Sequence, residues 1–158
     1  MKFDPELFRN YMSGTVLDEL LCSYKGLPKG VNYMIIGDPG VGKTTIILDL
    51  LSNIRKCNTG VRVLFISAEM NEIDLAIYVQ RFPKFQDLDI LFIEANFDEE
   101  DNFHNLETLK STLEQGWDIV AIDSFYELQG IIKDEETKRC DKAGTVDEWC
   151  RKWKASVG

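Results

Sequence analysis

The chain has 158 residues, 44% of them apolar and 28% charged, the balance of a single globular domain in water. No window approaches the ~20 apolar residues of a membrane span, and the charged N-terminus MKFDPELFRNYM lacks a signal-peptide core, so a cytoplasmic protein without membrane contact is expected. A net charge of −9 argues against a dedicated duplex-DNA binder, while leaving room for a local basic loop repeated around an oligomeric ring.

In chain order, Asp4-Pro5 suits the N-cap and first turn of a helix over Pro5 to Met12. Thr15-Val-Leu-Asp18 resembles a second helix start, and Ser23 to Gly30 is a turn-rich link. Together residues 1–30 read as a helical lead-in. Val31 to Ile36 (VNYMII) reads as a strand and Ile46 to Ile54 as a helix, and between them stands GDPGVGKTT, Gly37 to Thr45. Gly37, Gly42, Lys43 and Thr44 fit G-x-x-x-x-G-K-[ST]. A glycine-rich turn from a strand into a helix N-terminus aims backbone N–H groups and the positive helix end at an anion. Gly37, Gly40 and Gly42 can take positive φ, and Pro39 stiffens the turn. Asp38, Val41 and Thr45 complete the predicted nucleotide-binding stretch. Lys43 is placed to neutralise β- and γ-phosphates and the Thr44 hydroxyl to ligate Mg²⁺. The bland alternative is a chance glycine-rich turn.

After the break at Asn58 to Gly60, Val61 to Ser67 reads as a strand and Asn71 to Phe82 as a helix capped by Asn71. Leu88 to Glu94 reads as a third strand, and the acidic run Phe97 to Phe103 as a solvated loop. Phe103, Leu106, Leu109 and Leu113 form one stripe of a helix over Asn102 to Gly116. Asp118 to Ser124 is the fourth strand. Such alternation predicts an α/β fold, a parallel sheet flanked by helices, with ligands at the carboxyl ends of the strands. Residues 31–124 form that core. Glu69 and Asp123 both fall at strand ends. Asp123 suits a carboxylate holding Mg²⁺ beside Thr44; the plainer reading is a turn cap. Glu69 suits a group that orients or deprotonates water; the plainer reading is a neighbour of a helix N-cap.

Residues 125–158 carry a weaker signal. Phe125 to Thr145 reads as a long loop, and Val146 to Lys154 as a helix with Trp149 and Trp153 at i, i+4. Lys133 to Lys154 holds seven basic and six acidic residues, a net of +1, so the rest of the chain carries −10. The four cysteines, Cys22, Cys57, Cys140 and Cys150, show no C-x-x-C pair, and the single histidine, His104, reads as a surface residue; free thiols are expected rather than a zinc site.

LDELLCSYKGLPKGVNYMIIGDPGVGKTTIILDLL, VLFISAEM and DIVAIDS together resemble the RecA-like P-loop ATPases, especially the RadA/KaiC branch, with a likeness to DnaB-type helicases. The resemblance covers residues 15 to 125. It implies ATP and Mg²⁺ as ligands, Glu69 as catalytic base with Lys43 also catalytic, and Asp123 as the Walker-B acid. It also implies a homo-oligomeric ring or filament, an arginine or lysine finger from a neighbouring subunit, and a loop for single-stranded DNA within residues 125–145. An ATPase of DNA repair, recombination or replication is thereby expected. A KaiC-like assembly switch that binds protein is the alternative, and a small-molecule kinase stands third.

Two departures bear on this. The four-cysteine zinc module of RadA is absent, and the strand that follows Walker B in the family has no counterpart among the four predicted ones. Phe125 to Ile132 is the one candidate, and it follows Asp123 too closely for a helical crossover of about a dozen residues. A chain truncated after Walker B, or completed by another polypeptide, is expected. Nucleotide binding is therefore expected of this chain, and turnover is not expected of it alone.

Overall fold

A computed structural model describes residues 9–95 and 104–139. Its elements run α1 (Leu17–Leu21), α2 (Lys43–Cys57), β1 (Val63–Ser67), α3 (Glu72–Arg81), a 3-10 helix (Pro83–Asp87), β2 (Asp89–Phe92), α4 (Asn105–Leu113), β3 (Ile119–Asp123) and α5 (Phe125–Arg139). The chain is an α/β protein with a three-stranded parallel sheet in the order β2-β1-β3, flanked by helices. Contacts divide it into two compact units. One runs to Val63 and takes in Tyr78–Leu88, and the other holds Leu64–Ile77 and the residues from Asp89 on.

In the first unit, Tyr11 and Leu27 exchange backbone hydrogen bonds of 2.8 Å as an antiparallel bridge. The helix expected up to Met12 is therefore absent over residues 9–12; its earlier part lies outside the described residues. The turn before α1 closes on Asp18, which is 4% exposed. Its carboxylate accepts bonds from Ser13 N–H (2.8 Å), Ser13 Oγ (2.7 Å) and Gly14 N–H (2.8 Å). Burial pushes the Asp18 carboxyl up, but these bonds and one from the Thr15 backbone outweigh it and hold the pKa below the ordinary value. Asn58 Nδ2 donates to Met12 O (2.7 Å) and ties this lead-in to the end of α2. On its other side α2 packs against the 3-10 helix, where Lys84 pairs with Asp49 and Ser52 Oγ donates to Lys84 O (3.4 Å). Leu48, Leu51, Ile54 and Phe85 are among the most deeply buried apolar groups of this unit.

The second unit is built on the sheet. Leu64 to Ser67 pair in parallel register with Asp89 to Phe92. All five residues of β1 are buried, as a parallel strand covered on both faces should be. Leu64 and Ile66 share a face and, with Ile93, meet Leu106, Leu109 and Leu113 of α4 and Leu128 and Ile132 of α5. Gly116, at φ 79°, stops α4 as its sequence position predicts. Glu135 continues the buried stripe of α5. Its Oε2 accepts the Leu106 N–H at 3.3 Å at the start of α4, while Oε1 has no hydrogen-bond partner.

Two further predicted elements differ. Residues 31–36 form no strand: they pair with nothing in a sheet among the described residues, and every one is exposed, Met34 at 83% and Ile36 at 84%. The apolar run has strand-like composition, but a strand exists only through a hydrogen-bonded neighbour, and no described residue pairs with it. Residues 125–139 form α5 rather than a loop or a strand. Ser124 Oγ accepts the Glu127 N–H (3.3 Å), and Leu128, Ile132 and Glu135, at i, i+4 and i+7, are buried on one side. The acidic run and the Trp149/Trp153 segment lie outside the described residues.

Candidate phosphate loop and strand-end carboxylates

The Gly37–Thr45 stretch belongs to the first unit. Gly40 (φ 78°) and Gly42 (φ 94°) take the left-handed backbone that only glycine adopts freely, and Gly42 is the N-cap of α2. At Gly37 the requirement is space, since a Cβ there would come within 3.0 Å of Val41 Cγ2. The Val41 N–H reaches Asp38 O at 3.5 Å, and the first bond within the helix runs from Ile46 N–H to Gly42 O at 3.0 Å. The N–H groups ahead of Ile46 thus lie at the positive end of a fifteen-residue helix. Lys43 folds back over the loop, and its ammonium donates to Gly37 O (2.8 Å) and Asp38 O (2.9 Å). Asp38, Pro39, Gly40 and Val41 are exposed, while Lys43, Thr44 and Thr45 are half-buried. One cation therefore braces an open loop through two carbonyls, on a helix end already suited to an anion.

Glu69 and Asp123 belong to the second unit, and the sheet brings them to the same end of adjacent strands. The Ala68 N–H donates to Asp123 O at 2.8 Å, so Glu69 stands one residue beyond a direct bond to Asp123. Ser67 fixes the turn that presents Glu69: its Oγ donates to Met70 O (2.7 Å) and accepts the Met70 N–H (3.1 Å). Glu69 is exposed and Asp123 half-buried. Asn71 then starts α3, its Oδ1 accepting the Ile73 and Asp74 N–H groups at 2.9 and 3.0 Å. Ser67 and Ser124 were not singled out from the sequence. A serine at a strand end, and Ser124 three residues before Glu127, were the signals available.

Residues 18–158 match the AAA domain family model AAA_25. The chain belongs to the AAA domain family. No curated protein and no solved structure matches it. As an AAA domain of the RecA-like P-loop type, it is an ATP-binding chain by family, and such domains generally take ATP with Mg²⁺. Among the described residues no three His, Cys, Asp or Glu side chains gather into a metal site. A P-loop magnesium needs only a hydroxyl, a carboxylate, water and phosphate oxygens. Thr44 and Asp123 are residues of those kinds. Among the described residues no helix is long and apolar enough to cross a membrane.

Proposed function

We propose that this AAA domain chain is a RecA/RadA-like subunit that binds and hydrolyses ATP and acts on single-stranded DNA in repair, recombination or replication. The observation that carries the nucleotide part is the Lys43 brace on a glycine loop with two left-handed positions at the head of α2. In this reading Gly37 to Thr45 wrap the phosphates, and Lys43 leaves Gly37 O and Asp38 O for the β- and γ-oxygens. The Thr44 hydroxyl and the Asp123 carboxylate would be the protein's ligands to magnesium, which when bound would offset charge on the phosphates. Glu69 accepts a proton from water as the water oxygen attacks the γ-phosphorus, and ADP departs with the bond electrons. Adjacent copies in a ring or filament supply the arginine or lysine finger.

For the DNA part, Phe125 and Tyr126, 41% and 80% exposed, follow directly on the Walker-B strand and offer rings on which unpaired bases can stack. The KaiC-like reading, an ATP-dependent assembly switch that binds protein, is favoured by a different observation. The segment assigned to DNA begins as a helix, and residues 125–139 carry four acidic residues (Glu127, Asp134, Glu135, Glu136) against three basic ones (Lys133, Lys138, Arg139), no basic patch for a phosphate backbone. The free thiols Cys22 and Cys57 support a cytoplasmic setting for either reading.

Phosphate release with and without single-stranded DNA, on wild type and Glu69→Gln, separates them. DNA-stimulated hydrolysis that Glu69→Gln abolishes, with ATP binding kept, supports the first reading. ATP-dependent oligomers that ignore oligonucleotides support the second, and an unaltered rate in Glu69→Gln removes Glu69 from the reaction.

A further inference from the structure

A cavity of about 560 Å³ opens at the carboxyl ends of β1 and β2 in the second unit, away from any role assigned above. It is lined by Asn71, Glu72, Ile73, Phe92, Glu94 and Asn105. Glu72 and Glu94 are exposed carboxylates, and Phe92 and Ile73 give the cavity an apolar part. Beside it, Ile73 and Ile77 stand one turn apart on α3 with 75% and 63% of their surface open to solvent. Two isoleucines at i, i+4 on one helix face are an apolar ridge without cover among the described residues. The surface thus asks for an occupant with two large apolar groups at helical spacing and cationic groups between or beside them.

One segment of this chain has that composition. Residues 146–154, VDEWCRKWK, carry Trp149 and Trp153 at i, i+4, with Arg151, Lys152 and Lys154 between and next to them and Asp147 and Glu148 ahead of them, a net charge of +1 with the basic residues all on the tryptophan side. The segment lies outside the described residues, but its tether is short. Glu135 of α5 bonds the Leu106 N–H, next to Asn105 of the cavity wall. Arg139 follows about 6 Å further along the helix, at 1.5 Å per residue. Seven more residues lead to Val146 and can span up to about 25 Å. We propose that residues 146–154 of the same chain dock on this surface, the two tryptophans against Ile73 and Ile77 and the basic side chains at Glu72 and Glu94. The assignment is independent of the nucleotide reading.

Acrylamide quenching of the full chain reads this directly. Trp149 and Trp153 are two of its three tryptophans, and the third, Trp117, is half-buried with its indole N–H on Thr112 O at 2.7 Å. The expected result is that the tail tryptophans are shielded relative to a synthetic peptide of residues 146–154. Glu72→Lys with Glu94→Lys should remove the shielding, and adding Arg151→Glu with Lys152→Glu should restore it. Ile73→Asp should remove it without rescue by the charge swap. Wild-type quenching equal to that of the peptide overturns the proposal, as does failure of the swap to restore shielding. Shielding that grows with protein concentration overturns the same-chain assignment in favour of a second copy.

Discussion

Lys43→Ala separates a ligand-facing role from a structural one, because the structure gives both contributions a size. In the free protein the ammonium holds two backbone carbonyls, at 2.8 and 2.9 Å, on an exposed loop. Such bonds, discounted for solvent, stabilise the fold by roughly 1 kcal/mol together. That corresponds to about 2–4 °C in melting temperature for a chain of this size. With ATP bound, the same ammonium meets phosphate oxygens in charge-assisted bonds worth about 1.5–3 kcal/mol each. Giving up the two carbonyls offsets part of that gain, leaving a net of about 2–3 kcal/mol. The variant should therefore bind Mg·ATP roughly 30- to 150-fold more weakly while melting within a few degrees of wild type. Calorimetric titration and thermal denaturation on the same preparation measure the two numbers. A dissociation constant within about threefold of wild type would refute the assignment of Lys43 to the phosphates. A melting temperature lowered by more than about 8 °C would show instead that Lys43 holds the fold.

Three further outcomes follow from the geometry. Asp18→Asn removes a buried negative charge that Ser13 and Gly14 solvate, and should cost about 2–3 kcal/mol in chemical denaturation. Because the folded Asp18 pKa lies below its ordinary 3.8, its stabilisation is complete above that value and disappears as pH falls through the lower folded value. The variant's stability should accordingly approach wild type as pH falls below 3.8 and through the folded value, which acid titration of the two proteins checks. Gly42→Ala places a Cβ in open space but on a φ of 94°, so backbone strain alone should lower stability by about 1–2 kcal/mol and weaken phosphate binding. Ile132→Ala empties a fully buried site between α5 and the sheet and should cost about 3 kcal/mol by urea titration; a loss under 1 kcal/mol would mean that α5 is not part of the core.

The strands that pair were legible because each is a short apolar run bounded by turn residues, and Val63–Ser67, Asp89–Phe92 and Ile119–Asp123 fall inside the predicted spans. Helix α2 begins at Lys43 rather than Ile46, because Gly42 rather than the apolar run sets its start. Helix α5 was hidden by its composition. Gly130 sits mid-helix and the charges after Ile132 mask the buried stripe of Leu128, Ile132 and Glu135. Residues 31–36 misled in the opposite sense, since composition signals a strand while the neighbour that makes one is a property of the whole sheet. At the site, the loop motif, Glu69 and Asp123 were readable from spacing. The serines that set the adjoining turns were not, because their role is a hydrogen bond that no periodicity reports.

The uncovered run next to the phosphate loop has a consequence for how the molecule behaves in concentrated solution. VNYMII is six residues long, uncharged, free of proline and glycine, and exposed along its whole length. Segments of that kind stack on copies of themselves through their main chains, as in amyloid. Left bare, a segment of this kind is an aggregation hazard, and covering it with a paired strand should raise solubility.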